Sequence, residues 1–208
     1  VLRPLGRVLI TAVATGTDQG ARARYGVRPA LNLDRAQQLV PFERETAGDP
    51  ELLEAVELGP QGPAPGRQDL AHAAGRGLSR LGAVGYCMSG PFVMWAAAAF
   101  PERLACIASI HGANMATDAP DSPHLMPPQI KCESYFACAE IDKWAPPADI
   151  QKLESSLIQA KSKFRIEWYP KVEHGFVFPQ RAGMYNAQAA ERHWERLFEL
   201  FGRTLKSS

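Results

Sequence analysis

Residues 81–100 read LGAVGYCMSGPFVMWAAAAF, and the cysteine inside that stretch decides how the chain is understood. LGAVGY is a short run of apolar and small residues, the pattern of a strand buried on both faces. SGPFVMWAAAAF reads as a helix. Pro91 is tolerated in its first turn, where backbone donors lack partners anyway, and Pro101 ends it. Cys87 falls on the sharp turn between the two. A nucleophile on such a turn projects above its sheet. The residues two before and two after it must be small, because strand and helix backbones approach closely. Gly85 and Ser89 meet that demand. The helix N-terminus favours negative charge, and so a thiolate over a thiol. A core cysteine beside chance glycines is the competing reading; the strand before it and the helix after it speak against that.

Working outward, LACIASI (104–110) is a second apolar strand and IKCESYFACAE (130–140) a third. PADIQKLESSLIQA is a helix that opens with proline and an acid, and FRIEWYP (164–170) is a fourth strand. AQAAERHWERLFELFGRTL closes the chain as an amphipathic helix, with Ala190, Trp194, Leu197, Phe198 and Phe201 on one stripe. Strand and helix alternate, which predicts an α/β fold with a mostly parallel sheet and helices on both faces. Two long loops, HGANMATDAPDSPHLMPP and VEHGFVFPQRAGMYN, both follow strands. The ends of parallel strands are where open α/β sheets place their sites.

A thiol on the turn needs a base, and the base needs an orienting group. In this architecture the chain order is nucleophile, acid, histidine. Asp142, after YFACAE, and His174, after RIEWYP, supply that order. Glu140 competes with Asp142 for the acid. His111 also follows a strand, but no carboxylate follows it at a suitable spacing. His193 lies mid-helix as a surface or packing residue, and His72 and His124 have no evident partners. The histidines are too scattered for a zinc spacing, and no glycine-rich phosphate loop is present.

The totals exclude other classes. At 208 residues, the chain is long enough for one well-buried domain. A net charge of +1 argues for neither nucleic acid nor an anionic membrane as partner. The longest apolar run, Phe92 to Phe100, is too short to span a bilayer. VLRPLGRVLITAVATG faintly mimics a secretory signal, but a strand over residues 7–13 is the better reading. Cys132 and Cys138, six apart on one strand, are beyond disulfide reach of each other. With Cys106 they read as buried small hydrophobes, in a reducing, cytoplasmic compartment.

The first 80 residues differ in kind. They contain no lysine, and Tyr25 and Phe42 are their only aromatics. RVLITAV is the one candidate strand to pair beside LGAVGY. DRAQQLVPFERE, PELLEAVEL and DLAHAAGRGLSRL are expected as short helices, and QGPAPGRQ (61–68) as a linker or turn.

From about residue 80 to 205 the chain resembles the dienelactone hydrolase family of α/β-hydrolases. GYCMSG, the loop acid in AEIDKWAP, the histidine in EHGF and the closing helix YNAQAAERHWERLFELF carry the resemblance. It implies one α/β-hydrolase-like domain over 1–208, with 1–80 an atypical N-terminal segment and 81–208 the family-like catalytic half. It also implies a triad of Cys87, Asp142 and His174 that hydrolyses small esters or lactones through a thioester, with no metal or organic cofactor. Met88 N–H is then an oxyanion donor, and Trp144, Phe176 and Arg181 are expected at the substrate. The partner is a small-molecule ester or lactone, and the protein a monomer or small homo-oligomer.

Three departures stand out. Ser89 replaces the family's usual glycine. The family's type enzyme holds a substrate carboxylate with an arginine soon after the histidine; here GFVFPQR is aromatic until Arg181, which points to a more apolar pocket. The family's second oxyanion donor, from a loop before the turn, has no recognisable counterpart in residues 1–80. That keeps open an impaired relative serving as a binding or scaffold domain. A thiol redox sensor is disfavoured, since no C-x-x-C partner exists.

Overall fold

The computed structural model describes residues 81–205, together with the backbone of two short strands, Val8–Thr11 and Leu53–Glu54. These two are β1 and β2. The remaining elements are β3 (Leu81–Tyr86), α1 (Gly90–Ala99), β4 (Leu104–Ile110), β5 (Glu133–Ile141), α2 (Pro147–Gln159), β6 (Phe164–Glu173) and α3 (Ala187–Thr204). The strands form one sheet in the order β2-β1-β3-β4-β5-β6, and every pairing is parallel.

The run LGAVGY becomes β3, buried at every residue and flanked by β1 and β4. Period-two alternation divides the strands between two cores. Leu81, Ala83, Ile107, Phe136 and Cys138 face one way, onto Val93, Met94 and Ala97 of α1 and Leu153 and Leu157 of α2. Val84, Tyr86, Cys106, Ala108, Ile110, Tyr135 and Ala137 face the other, onto Leu197 and Leu200 of α3. Helices therefore cover both faces. All four cysteines are buried thiols, none of them in a disulfide. No helix among the described residues is long and apolar enough to cross a membrane.

Several expectations change in detail. PELLEAVEL was expected to be a helix, yet Leu53–Glu54 run as a strand against Val8–Leu9; parallel pairing overrides a short helical pattern. RVLITAV does lie beside β3, with Thr11 opposite Gly85. Strand β6 continues three residues past FRIEWYP, to Glu173. Pro170 is accommodated because β6 is the edge strand, where proline leaves no ladder bond unmade. Pairing with β5 is irregular there, between Ala139 and Ile141. On α3 the buried stripe is Ala189, Ala190, His193, Leu197 and Leu200. Phe198 is exposed and stacks on Trp194 at 6.0 Å, at the margin of the contact. The expected helices at DRAQQLVPFERE and DLAHAAGRGLSRL (before Leu81), the linker at 61–68, the signal-like start apart from Val8–Thr11, and His72 lie outside the described residues.

Candidate active site

The turn after β3 is built for close approach. Cys87 has φ +55°, a left-handed conformation that a non-glycine residue adopts only under constraint. It opens a single 3₁₀ turn, Cys87–Ser89, that runs directly into α1. A Cβ on Gly85 would stand 2.1 Å from the Ser89 carbonyl oxygen, so no larger residue fits. Ser89 is fully buried. Its hydroxyl accepts from Tyr86 N–H at 2.7 Å and donates to Tyr86 C=O at 2.8 Å. The Cys87 carbonyl takes the Ala113 N–H at 3.0 Å, which ties the turn to the segment after β4.

Two other strand ends bring their residues to this point. Asp142 follows β5. Its Oδ1 accepts the backbone N–H groups of Trp144 (2.8 Å) and Ala145 (3.2 Å). Its Oδ2 lies 2.7 Å from His174 Nδ1. His174 follows β6, and its Nε2 lies 3.0 Å from Cys87 Sγ. Sulfur, imidazole and carboxylate therefore stand in hydrogen-bonding sequence, on residues 6%, 8% and 7% exposed. Burial pulls the His174 pKa down. Hydrogen bonds to Asp142 and Cys87, with their charges, outweigh it and raise the pKa from 6.5 to about 9. Both partners thus favour the protonated imidazole over the neutral one.

The structure brings some expected residues to this point and not others. Glu140, the competing acid, is exposed and accepts Lys171 N–H at 2.6 Å. Met88 and Trp144, each next to or two residues beyond a member of the trio, are both 51% exposed. Lys143 Nζ lies 5.1 Å from the Trp144 ring centre. Arg181 is half-buried, with its guanidinium over the Phe178 ring at 5.2 Å. Its Nη1 would meet a Cβ on Gly175, beside His174, at 2.6 Å. Phe176 corrects the expectation of a substrate contact. It is fully buried, stacked on Tyr169 at 4.8 Å, and belongs to the core beneath α3.

Among the other histidines, His124 Nδ1 pairs with Ser122 Oγ at 2.7 Å, away from the sulfur. His193 is buried and not on the surface. Its Nδ1–H donates to Ala190 C=O, and its Nε2 meets Tyr86 O–H at 3.4 Å. His111, set aside in the sequence because no carboxylate follows it at a suitable spacing, stands immediately behind His174 with ring centres 4.9 Å apart. No group of three or more His, Cys, Asp or Glu side chains among the described residues is arranged to hold a metal ion.

Comparison with known proteins gives the following. Residues 66–205 match the dienelactone hydrolase family. A Synechocystis protein named "Putative carboxymethylenebutenolidase" is 32% identical over 129 residues, 61% of this chain and 51% of its own length. A namesake from Aquifex aeolicus is 23% identical over 127 residues. The chain spans about half the length of these curated relatives. Among solved structures, a "Putative Dienelactone Hydrolase" from Klebsiella pneumoniae superposes with a TM-score of 0.69 at 19% identity, over 96% of this chain and 88% of its own. A dienelactone hydrolase-like promiscuous phosphotriesterase from metagenomic libraries gives 0.63 at 18% identity, over 98% and 88%. At such identities the structural likeness establishes the α/β-hydrolase-like fold alone.

Proposed function

The chain belongs to the dienelactone hydrolase family, and from that premise we propose that it hydrolyses small carboxylic esters or lactones with Cys87 as nucleophile. The observation that carries this reading is the continuous series Cys87 Sγ–His174 Nε2 at 3.0 Å and His174 Nδ1–Asp142 Oδ2 at 2.7 Å.

In the proposed reaction the Cys87 thiolate attacks the acyl carbonyl carbon. A C–S bond forms, and the carbonyl π electrons move to oxygen. The backbone N–H of Met88, in the first turn after the nucleophile, donates to that oxyanion; such a donor contributes roughly 10²–10³ in rate. Collapse breaks the C–O bond, and the leaving alkoxide takes the His174 proton. A water then gives a proton to His174 and attacks the thioester. The acid departs and the thiolate returns, paired again with the imidazolium. Asp142 keeps Nδ1 protonated and the ring in plane throughout.

Exposed Met88 and Trp144 make the mouth apolar, which suits a hydrophobic acyl or alcohol group. Arg181, packed beside Gly175 next to His174, offers a cation to an acidic substituent. Residues 1–208 act as one domain in this reading, because β1 from the first segment completes the sheet around β3. Four free cysteines support a reducing, cytoplasmic setting.

The test is turnover of p-nitrophenyl acetate by the parent protein, Cys87→Ala and His174→Ala. The parent is expected to hydrolyse it and both variants to fall by at least about 10³-fold. Equal rates for all three would end the reading, and binding without turnover would favour the scaffold alternative.

A further inference from the structure

Among the described residues, His111 is the one buried histidine whose ring nitrogens have no hydrogen-bond partner. It is 1% exposed, and neither Nδ1 nor Nε2 has a hydrogen-bonding group among the described residues. A buried polar atom without a partner is destabilising, so this ring is costly where it stands. Its backbone is constrained too. The φ is +38°, and its N–H is held by Ala137 C=O at 2.7 Å. The next residue, Gly112, lies against the start of α1: a Cβ on Gly90 would meet Gly112 Cα at 2.5 Å. The ring is therefore fixed relative to the turn that carries Cys87.

What it touches gives its use. Phe176 meets it at 5.5 Å and 73°, Phe178 at 5.3 Å and 70°, and Tyr86 at 6.2 Å and 56°. On its remaining side is His174, at 4.9 Å and 62°. Two hydrogen bonds, to Asp142 and to Cys87, fix the line through the His174 nitrogens. They do not stop the ring tilting about that line. A flat neighbour pressed edge-to-face against it does.

We propose that His111 is a positioning residue, an uncharged aromatic wall that stops the His174 imidazole tilting out of line between Asp142 and Cys87. The role rests on the reading of Cys87, His174 and Asp142 as the reacting triad. It requires that the wall carry no charge, since His174 is itself cationic. The groups facing His111 agree. Burial first, and then the charge on His174, hold its pKa well below the usual range. Its own backbone opposes them, while His193 on α3 and Arg181 in the loop before α3 push the same way as burial. Tyr86 and the two phenylalanines bring no compensating negative charge at neutral pH.

The experiment compares His111→Ala with His111→Phe by two readouts: the NMR titration of His174, and kcat and KM on p-nitrophenyl acetate. Without the wall, kcat falls about 10²-fold with KM within about twofold, as expected for a misplaced reacting group. His174 then titrates about one unit lower, as its bonds to Asp142 and Cys87 loosen. Phenylalanine restores an uncharged flat ring. It returns kcat to within about threefold and restores the titration, and it melts higher because two unpartnered nitrogens are gone. His111→Gln replaces the alanine variant, with the same expectations, should that one not fold. An unchanged alanine variant, or a phenylalanine variant as impaired as alanine, overturns the proposal. The titration needs no turnover, so a protein inactive on the ester sinks the hydrolase reading and leaves this test standing.

Discussion

Two histidines stand at the ends of two strands of one sheet, His111 after β4 and His174 after β6. Their ring centres are 4.9 Å apart, and both are buried. Yet burial alone does not decide their charge. His174 has a carboxylate on one nitrogen and a sulfur on the other, and its pKa rises to about 9. His111 has neither, and its pKa falls well below 6.5. Desolvation disfavours the cation in both rings; only hydrogen-bonded negative partners reverse the outcome. The cation is thereby confined to the ring that can pass its proton to a leaving group.

The largest expected way to break this contrast is Asp142→Asn. The amide presents an N–H or a neutral oxygen to Nδ1, so both the tautomer and the charge stabilisation are lost. Ester turnover should fall about 10²–10⁴-fold. The His174 titration should drop from about 9 toward or below 6.5, measured by NMR across pH. If His174 still titrates near 9 in that variant, Asp142 is not what separates the two rings.

Next comes stability against pH. The folded pKa of His174 is raised from 6.5 to about 9. Its contribution is therefore complete below pH 6.5, declines as pH rises, and is gone above pH 9; it amounts to roughly 3 kcal/mol at most. His193 shifts oppositely, to about 4, chiefly by burial, and His111 shifts the same way. Both contributions are complete above pH 6.5 and decline as pH falls below it, that of His193 toward pH 4. Denaturant melts from pH 4 to 10 should show losses at both ends. His174→Gln should flatten the alkaline loss alone; if that loss persists unchanged, another group causes it.

The smallest effect concerns the turn. Ser89→Ala leaves Tyr86 N–H and C=O without the hydroxyl that binds both. A cost of about 1–3 kcal/mol is expected, seen as a melting point lower by several degrees. No change would mean that backbone packing at Gly85 alone holds Cys87 in place.

These contrasts were unevenly legible in the sequence. The turn was readable because its requirements are local. Gly85, Cys87 and Ser89 lie within five residues, and a Cβ at 85 would collide with the Ser89 carbonyl. Asp142 and His174 were readable because chain order in this architecture is restrictive, although only geometry separates Asp142 from Glu140. Phe176 was misplaced because its nearness to His174 in sequence says nothing about which way it faces. It faces Tyr169 and the core. The α3 stripe was read one position off on the side where Trp194 and Phe198 stack at the edge of the contact. His111 was passed over because a wall needs no partner motif; its role exists only where two strand ends meet. Leu53–Glu54 was read as helix because its local pattern carries no sign of the strand it pairs with.

The most direct test of the central claim is mass spectrometry of the protein quenched during turnover of p-nitrophenyl acetate, with Asp142→Asn used to slow the cycle. The account predicts one acetyl group, held as a thioester on Cys87 and removed by hydroxylamine. Turnover with Cys87 unmodified, or acetylation confined to another residue, would contradict it.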